Sequence, residues 1–161
     1  MSKTTIIAAS FFVSCAAVTS FAQEAKLLRL APEEIQLPAA QGGQIGTSGT
    51  ATLQMKILSG NPKKQSLYTM FAKIPKGTTI KPHSHPDDRV AVVVSGTWYF
   101  AYGDTFDESA LKALPAGSFY TEPPNANHFA MTKDEDVTVY LMGTGPTGTV
   151  YVNPADDPTK R

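Results

Sequence analysis

The chain is short of sulfur and short of imidazole. Cys15 is the only cysteine in 161 residues, and His83, His85 and His128 are the only histidines. One thiol excludes an intrachain disulfide framework and a cysteine-rich zinc site. Charge of one sign is also lacking: 14 basic and 14 acidic residues cancel, and neither gathers into a run. Such a surface is not built to hold nucleic acid or an anionic membrane. No apolar run reaches the ~20 residues of a bilayer span, no glycine-rich phosphate loop opens a helix, and there is no internal repeat. What remains is a globular composition, 42% hydrophobic and 17% charged, at a length that suits one domain with a core and not two.

The first 22 residues differ from the rest. Lys3 gives a short basic start, "IIAASFFVSCAAV" is apolar or small throughout, and Ser20-Phe21-Ala22 places small residues where a signal peptidase reads. The pattern is that of a secretory signal peptide over 1–22, with a buried N-terminal helix as the bland alternative. Val13-Ser14-Cys15 offers a lipoprotein processing site as a lesser alternative, although Phe12 stands where a smaller aliphatic residue is usual. Cleavage after Ala22 would remove Cys15. The mature chain would then suit a periplasmic or secreted, oxidising setting, and any metal would be held by nitrogen and oxygen alone.

Residues 23–49 read as an N-terminal arm lying on the domain or on a partner subunit. "APEEIQLPAA" can start one helical turn, and "QGGQIGTSG" has linker chemistry. From Thr50 the punctuation is that of an all-β protein. "ATLQMKIL", "SLYTMFAKI", "RVAVVVSG", "TWYFAYGD", "SFYTE", "HFAMT", "VTVYLMG" and "GTVYVN" are strand candidates between Gly, Pro, Asn and Asp turns, which indicates a β-sandwich or barrel. "DESALKAL" is the one helix candidate. The barrel spans 50–152 and a polar tail spans 153–161.

His83 and His85 are two apart in an expected strand, so they share a face. His128 heads a later strand, just behind "PPNAN". If those strands meet, three imidazoles converge on a site for iron, zinc, copper, manganese or nickel. An isolated His-x-His pair is weak evidence, and a surface or core histidine is the commoner reading. The surrounding spacing raises the odds.

In "GTTIKPHSHPDDRVAVVVSG", Gly77 is followed by five residues, His83-Ser84-His85, three residues, Arg89, six residues and Gly96. In "GSFYTEPPNANHFAMT", Gly117 is followed by five residues, Pro123, Asn125, two residues and His128. These stretches resemble the two sequence motifs of the cupin superfamily, over about Thr50 to Val152. Three positions depart: Arg89 stands for a glutamate, Asn125 for a glycine and Thr132 for an asparagine. Asn125 is the mild case, since asparagine tolerates the left-handed turn conformation.

The resemblance implies a double-stranded β-helix, or jelly-roll, barrel carrying a metal in its mouth, with His83, His85 and His128 as ligands. It does not supply a carboxylate, because a guanidinium has no lone pair to offer. A divalent ion on three neutral histidines would favour anionic substrates, and Arg89 beside it would pair with their carboxylate or enolate oxygens. Asp87, Asp88 or Glu122 could instead supply the missing carboxylate, or the site could bind ligands without any metal. Tyr99 and Tyr120 are candidates for a proton donor or oxygen-binding group, against a reading of the aromatics as barrel core. The function implied is a small-molecule enzyme of dioxygenase type acting on a carboxylate or enolate, with a metal-dependent isomerase or lyase as the near variant. A non-catalytic, ligand-binding or sensory cupin is the rival. Family habit also implies a homodimer built through the arm.

Overall fold

A computed structural model describes residues 27–40 and 47–160. The expected signal peptide, the start of the arm and the glycine-rich linker at 41–46 lie outside the described residues. Among the described residues, no helix is long and apolar enough to cross a membrane.

Ten strands form two five-stranded sheets: β1 (Gln54–Gly60), β2 (Leu67–Ile74), β3 (Thr79–Ser84), β4 (Arg89–Ser95), β5 (Trp98–Tyr102), β6 (Lys112–Leu114), β7 (Phe119–Glu122), β8 (His128–Met131), β9 (Val137–Thr144) and β10 (Val150–Tyr151). One sheet runs β1-β2-β9-β4-β7 and the other β10-β3-β8-β5-β6, and the ladders are antiparallel. This is the expected all-β jelly roll. Period-two alternation builds the core between the sheets. Tyr68, Met70, Ala72 and Ile74 turn inward from β2, and Val137, Val139 and Leu141 from β9. Trp98 and Phe100 meet them from the opposite sheet.

One expectation on local structure changes. "DESALKAL" is one 3-10 turn, Glu108–Ala110, followed by β6. Asp107 caps the turn by accepting from the Ser109 amide. Lys112, Ala113 and Leu114 then pair with Phe100, Tyr99 and Trp98, so strand pairing overrides a short helical preference. The arm does hold its single turn, as a 3-10 helix at Pro32–Glu34. It touches the barrel where Gln54 Nε2 donates to the Pro38 carbonyl.

Conformation explains two of the three motif departures. Asn125 sits at φ 60°, the left-handed region that glycine ordinarily fills, and its amide donates to the His85 carbonyl. Thr132 is fully buried. Its hydroxyl donates to the Pro75 carbonyl and accepts from the Thr78 amide, tying the end of β8 to the loop before β3.

Candidate metal centre

An irregularity in β3 decides which way the histidines face. Ile80 pairs with Ala130 and lines the interior, whereas His83 pairs with His128, so one extra residue is accommodated between Ile80 and His83. Strict alternation from Ile80 would send positions 82 and 84 inward and His83 outward. The bulge over Lys81-Pro82 reverses this and turns His83 and His85 into the barrel. His128 arrives as the register partner of His83 on β8.

Each imidazole is fixed by its Nδ1. His83 Nδ1 lies 2.7 Å from the Lys81 carbonyl, His85 Nδ1 2.5 Å from that of Gly148, and His128 Nδ1 3.0 Å from that of Ala126. A carbonyl only accepts, so Nδ1 carries the proton in each ring and Nε2 presents a lone pair. One ligand atom from each of the three histidines falls within 4.8 Å of the other two. Donors bound to one ion at about 2.1 Å sit roughly 3 to 3.5 Å apart, so the cluster is slightly open but of the right kind. The rings are buried, and His85 Nε2 has no hydrogen-bond partner. A buried lone pair without a donor is costly unless something occupies it, and the donor set fits a first-row divalent metal.

Protonation is suppressed throughout the cluster. Burial, followed by the charge of neighbouring His128, lowers His83 to about 3. Burial first and the Arg89 guanidinium second hold His85 well below the usual imidazole value. Burial also lowers His128, with Glu122 pulling the other way. The imidazoles are therefore neutral and ready to ligate.

The structure relocates the other candidates. Arg89 is inward-facing and 2% exposed; two of its guanidinium nitrogens are engaged with Glu122, while Nη1 is buried with no hydrogen-bond partner. Its Nε donates to Glu122 Oε2 at 2.8 Å and its Nη2 bonds the same oxygen, as expected for the register partner across β4 and β7. Glu122 Oε2 also lies 3.6 Å from His85 Nε2 and 3.8 Å from His128 Nε2. A carboxylate therefore stands beside the imidazoles after all, contributed by β7.

Asp87 and Asp88 do not come to the cluster. Asp87 accepts from the Tyr68 hydroxyl at 2.5 Å, and Asp88 is exposed in the turn. Tyr99 and Tyr120 part company. Tyr120 is buried, packs tilted against Phe100 with centroids 4.6 Å apart, and lines the same cavity as His83 and Glu122. Burial and the nearby Glu122 raise its pKa well above the ordinary phenol value. Tyr99 turns to the other face, under the Lys133 ammonium at 4.7 Å.

Sequence reasoning passed over Ser48 and Tyr151. Ser48 Oγ lies 3.0 Å from His83 Nε2, and Tyr151 donates to the Ser48 carbonyl while its ring packs beside His83. Their signal is weak, because a lone serine in a Thr-Ser-Gly turn reads as linker. The cavity itself measures about 40 Å³, room for only a few water molecules. Polar groups gather at one end, and Leu53, Ile74, Ile80, Trp98 and Leu141 wall the rest.

A jelly roll with inward-facing histidines from β3 and β8 and the segment between β3 and β4 defines a cupin. The chain belongs to the family of ChrR cupin-like domains, whose model matches residues 46–148. It is 28% identical over 88 residues to an H2HPP isomerase of Bacillus subtilis, covering 54% of this chain and 36% of the isomerase. The chain thus spans about a third of the length of that curated relative. Its fold is similar to that of a putative acetylacetone dioxygenase from Methylibium petroleiphilum (TM-score 0.60, 16% identity, 86% of this chain and 90% of that one). It is also similar to the DMSP lyase DddQ from Ruegeria pomeroyi (TM-score 0.55, 20% identity, 72% and 60%).

Proposed function

We propose that the chain is a metal-dependent enzyme acting on a small carboxylate or enolisable carbonyl compound, with dioxygenase chemistry as the first reading. The observation that carries the metal is the set of three buried imidazoles, each with Nδ1 donating to a carbonyl and Nε2 aimed inward. His83, His85 and His128 would hold the ion, with Glu122 as the adjoining carboxylate. Bound there, a divalent ion supplies Lewis acidity and open positions for a substrate oxygen or dioxygen.

The chain's own groups have separate tasks. Arg89 anchors Glu122 through Nε and Nη2, so a preference for anions would come from the ion, with the unpartnered Nη1 as the donor left to assist. Apolar side chains along the cavity exclude water. Tyr120 lines the same cavity and keeps its hydroxyl protonated, so it would serve as a hydrogen-bond donor to a substrate oxygen. The small cavity favours a substrate of a few heavy atoms.

A second reading, a metal-dependent isomerase or lyase, is favoured by Glu122. A carboxylate beside the histidines is a candidate proton acceptor for an acidified C–H. Similarity to an isomerase and a lyase points the same way.

Export through residues 1–22 and a homodimer built through the arm belong to the same proposal. They are supported by the apolar run before Ala22 and by an arm that carries the exposed Leu27, Leu28 and Leu30.

The test is metal analysis of protein made without a histidine tag, beside His128→Ala, followed by oxygen uptake and isomerisation assays on small diketones and 2-oxo acids. About one metal per chain, lost in the variant, together with oxygen uptake supports the dioxygenase reading. Turnover without oxygen supports the second reading. Absence of metal after incubation with iron, zinc, copper, nickel and manganese sinks both.

A further inference from the structure

The Thr47–Gly49 turn lies against the metal centre in an unusual way. Ser48 is buried and holds φ at 49°, in the left-handed region that side chains other than glycine seldom adopt. Residues kept in such conformations against their preference gather at functional sites. Several contacts hold the turn in place. Thr47 is fully buried, the Thr50 amide donates to the Thr47 carbonyl, and the Tyr151 hydroxyl donates to the Ser48 carbonyl. From the far side, the C-terminal 3-10 turn Pro158–Lys160 packs so closely that a Cβ on Gly49 would lie 2.9 Å from Pro158 Cγ.

The direction of the Ser48–His83 hydrogen bond follows from chemistry. His83 Nδ1 lies 2.7 Å from the Lys81 carbonyl, which only accepts, so the ring proton sits on Nδ1 and Nε2 presents a lone pair. The contact of 3.0 Å between Ser48 Oγ and His83 Nε2 therefore has the hydroxyl donating to the ring nitrogen. That lone pair is the one a metal needs. A lone pair serves one partner at a time, so the hydrogen bond and a metal–His83 bond exclude each other.

We propose that Ser48 is a resident of the metal centre: its hydroxyl competes with the metal for His83 Nε2 and must let go when an ion binds. Once released it still lines the cavity, close enough to face whatever the ion carries. The inference rests on the three-histidine reading and adds a residue from the arm that the family's motifs do not include. A consequence is that Tyr151 and the C-terminal tail, which jointly hold the turn, tune metal affinity without supplying a ligand.

The test uses zinc alone, with affinity read by competition against a chromophoric chelator on the purified full chain. Ser48→Ala and Ser48→Gly both remove the competing hydroxyl, and the glycine also relieves the backbone. Each is expected to bind zinc about fivefold more tightly, the effect of one net hydrogen bond. Thermal unfolding of both variants confirms that they fold. Ser48→Cys loaded with cobalt(II) is expected to show a thiolate-to-cobalt charge-transfer band in the near ultraviolet, absent from the parent chain, which keeps Cys15. Equal or weaker zinc binding by both the alanine and glycine variants, or no cobalt band, overturns the proposal. His83→Ala separates the two levels of inference. If the parent binds no zinc, or binds it equally well without His83, the three-histidine reading fails first and takes this one with it.

Discussion

Arg89 and Glu122 are register partners across β4 and β7, and both hydrogen bonds from the guanidinium go to one carboxylate oxygen, Glu122 Oε2. The family's glutamate position on β4 thus holds a cation, while the neighbouring strand supplies the anion. The inner layer keeps a carboxylate beside His85 and His128, displaced by one strand. Both groups are buried, so losing one partner strands the other. Glu122→Ala is expected to cost about 3–5 kcal/mol, read from urea denaturation, and to weaken zinc binding. The exchange variant Arg89→Glu/Glu122→Arg puts the carboxylate where the family motif has it. It should recover most of that stability and retain zinc. An exchange variant no more stable than the single variants would show that the pair is not interchangeable and that the surrounding packing selects the present order.

Asp87 bears on the same arginine. Its carboxylate accepts from Tyr68; burial acts to lower the Arg89 pKa, and Glu122, Tyr68 and Asp87 together outweigh it and raise it, while Gly143 makes the space for Tyr68 and Arg89. A Cβ there would come within 2.6 Å of the Tyr68 hydroxyl oxygen and 3.0 Å of Arg89 Cγ. Gly143→Ala is therefore expected to destabilise by about 1–3 kcal/mol through overpacking. It should also lower zinc affinity, because Arg89 and with it Glu122 must shift. Unchanged stability in chemical denaturation would mean that β9 can move away at no cost.

Asn125 gives a cleaner test of a motif departure. Its φ of 60° is tolerated by asparagine and free for glycine. Asn125→Gly should be near neutral, and Asn125→Val should lose about 1–2 kcal/mol with a lowered denaturation midpoint. Because the Asn125 amide holds the His85 carbonyl, the valine variant should weaken zinc binding as well. Equal midpoints for the two variants would sink the conformational account.

What could be read in the sequence, and what could not, follows from the range of the interactions. The strands, the shared face of His83 and His85, and the arrival of His128 follow from period-two alternation and motif spacing, which are local. Which face His83 takes is not local: it depends on a one-residue bulge at Lys81-Pro82 whose only trace is a proline in mid-strand. Glu122 was visible as a rival ligand, and a stronger signal was at hand. A buried arginine at an inward motif position requires a carboxylate, and Glu122 shares the inward face of β7 with Tyr120. Ser48 was not legible, because its position is set by Tyr151 and Pro158, more than a hundred residues away. The segment "DESALKAL" misleads because its capping aspartate is real while its later residues gain more from pairing with β5.

Tyrosine geometry separates two residues that sequence alone treats alike. Tyr99 faces Lys133 on the outside, whereas Tyr120 shares the cavity with His83 and Glu122. In an assay of whichever turnover is found, Tyr99→Phe should leave kcat and KM unchanged. Tyr120→Phe keeps the ring packing against Phe100 and removes only the hydroxyl, so it should lower kcat roughly 100- to 1000-fold with an unaltered unfolding temperature, the scale of one lost donor at a developing oxyanion. A matching loss in Tyr99→Phe would place the chemistry on the wrong side of β5.

Metal loading should appear in stability even before an activity is known. An ion that binds the folded chain and not the unfolded one stabilises by mass action, about 2.7 kcal/mol at a hundredfold excess over Kd. Thermal unfolding of the parent should therefore rise with zinc and fall back with a chelator. The converging rings make the effect depend on all three histidines, since each supplies one of the clustered nitrogens. His83→Ala, His85→Ala and His128→Ala should each flatten the zinc response, while His85→Ala should be less costly than His83→Ala without metal. The His85 Nε2 is buried with no hydrogen-bond partner, whereas His83 loses the Ser48 bond as well as its packing. A zinc response that survives any one of the three substitutions at full size would locate the bound ion elsewhere on the chain.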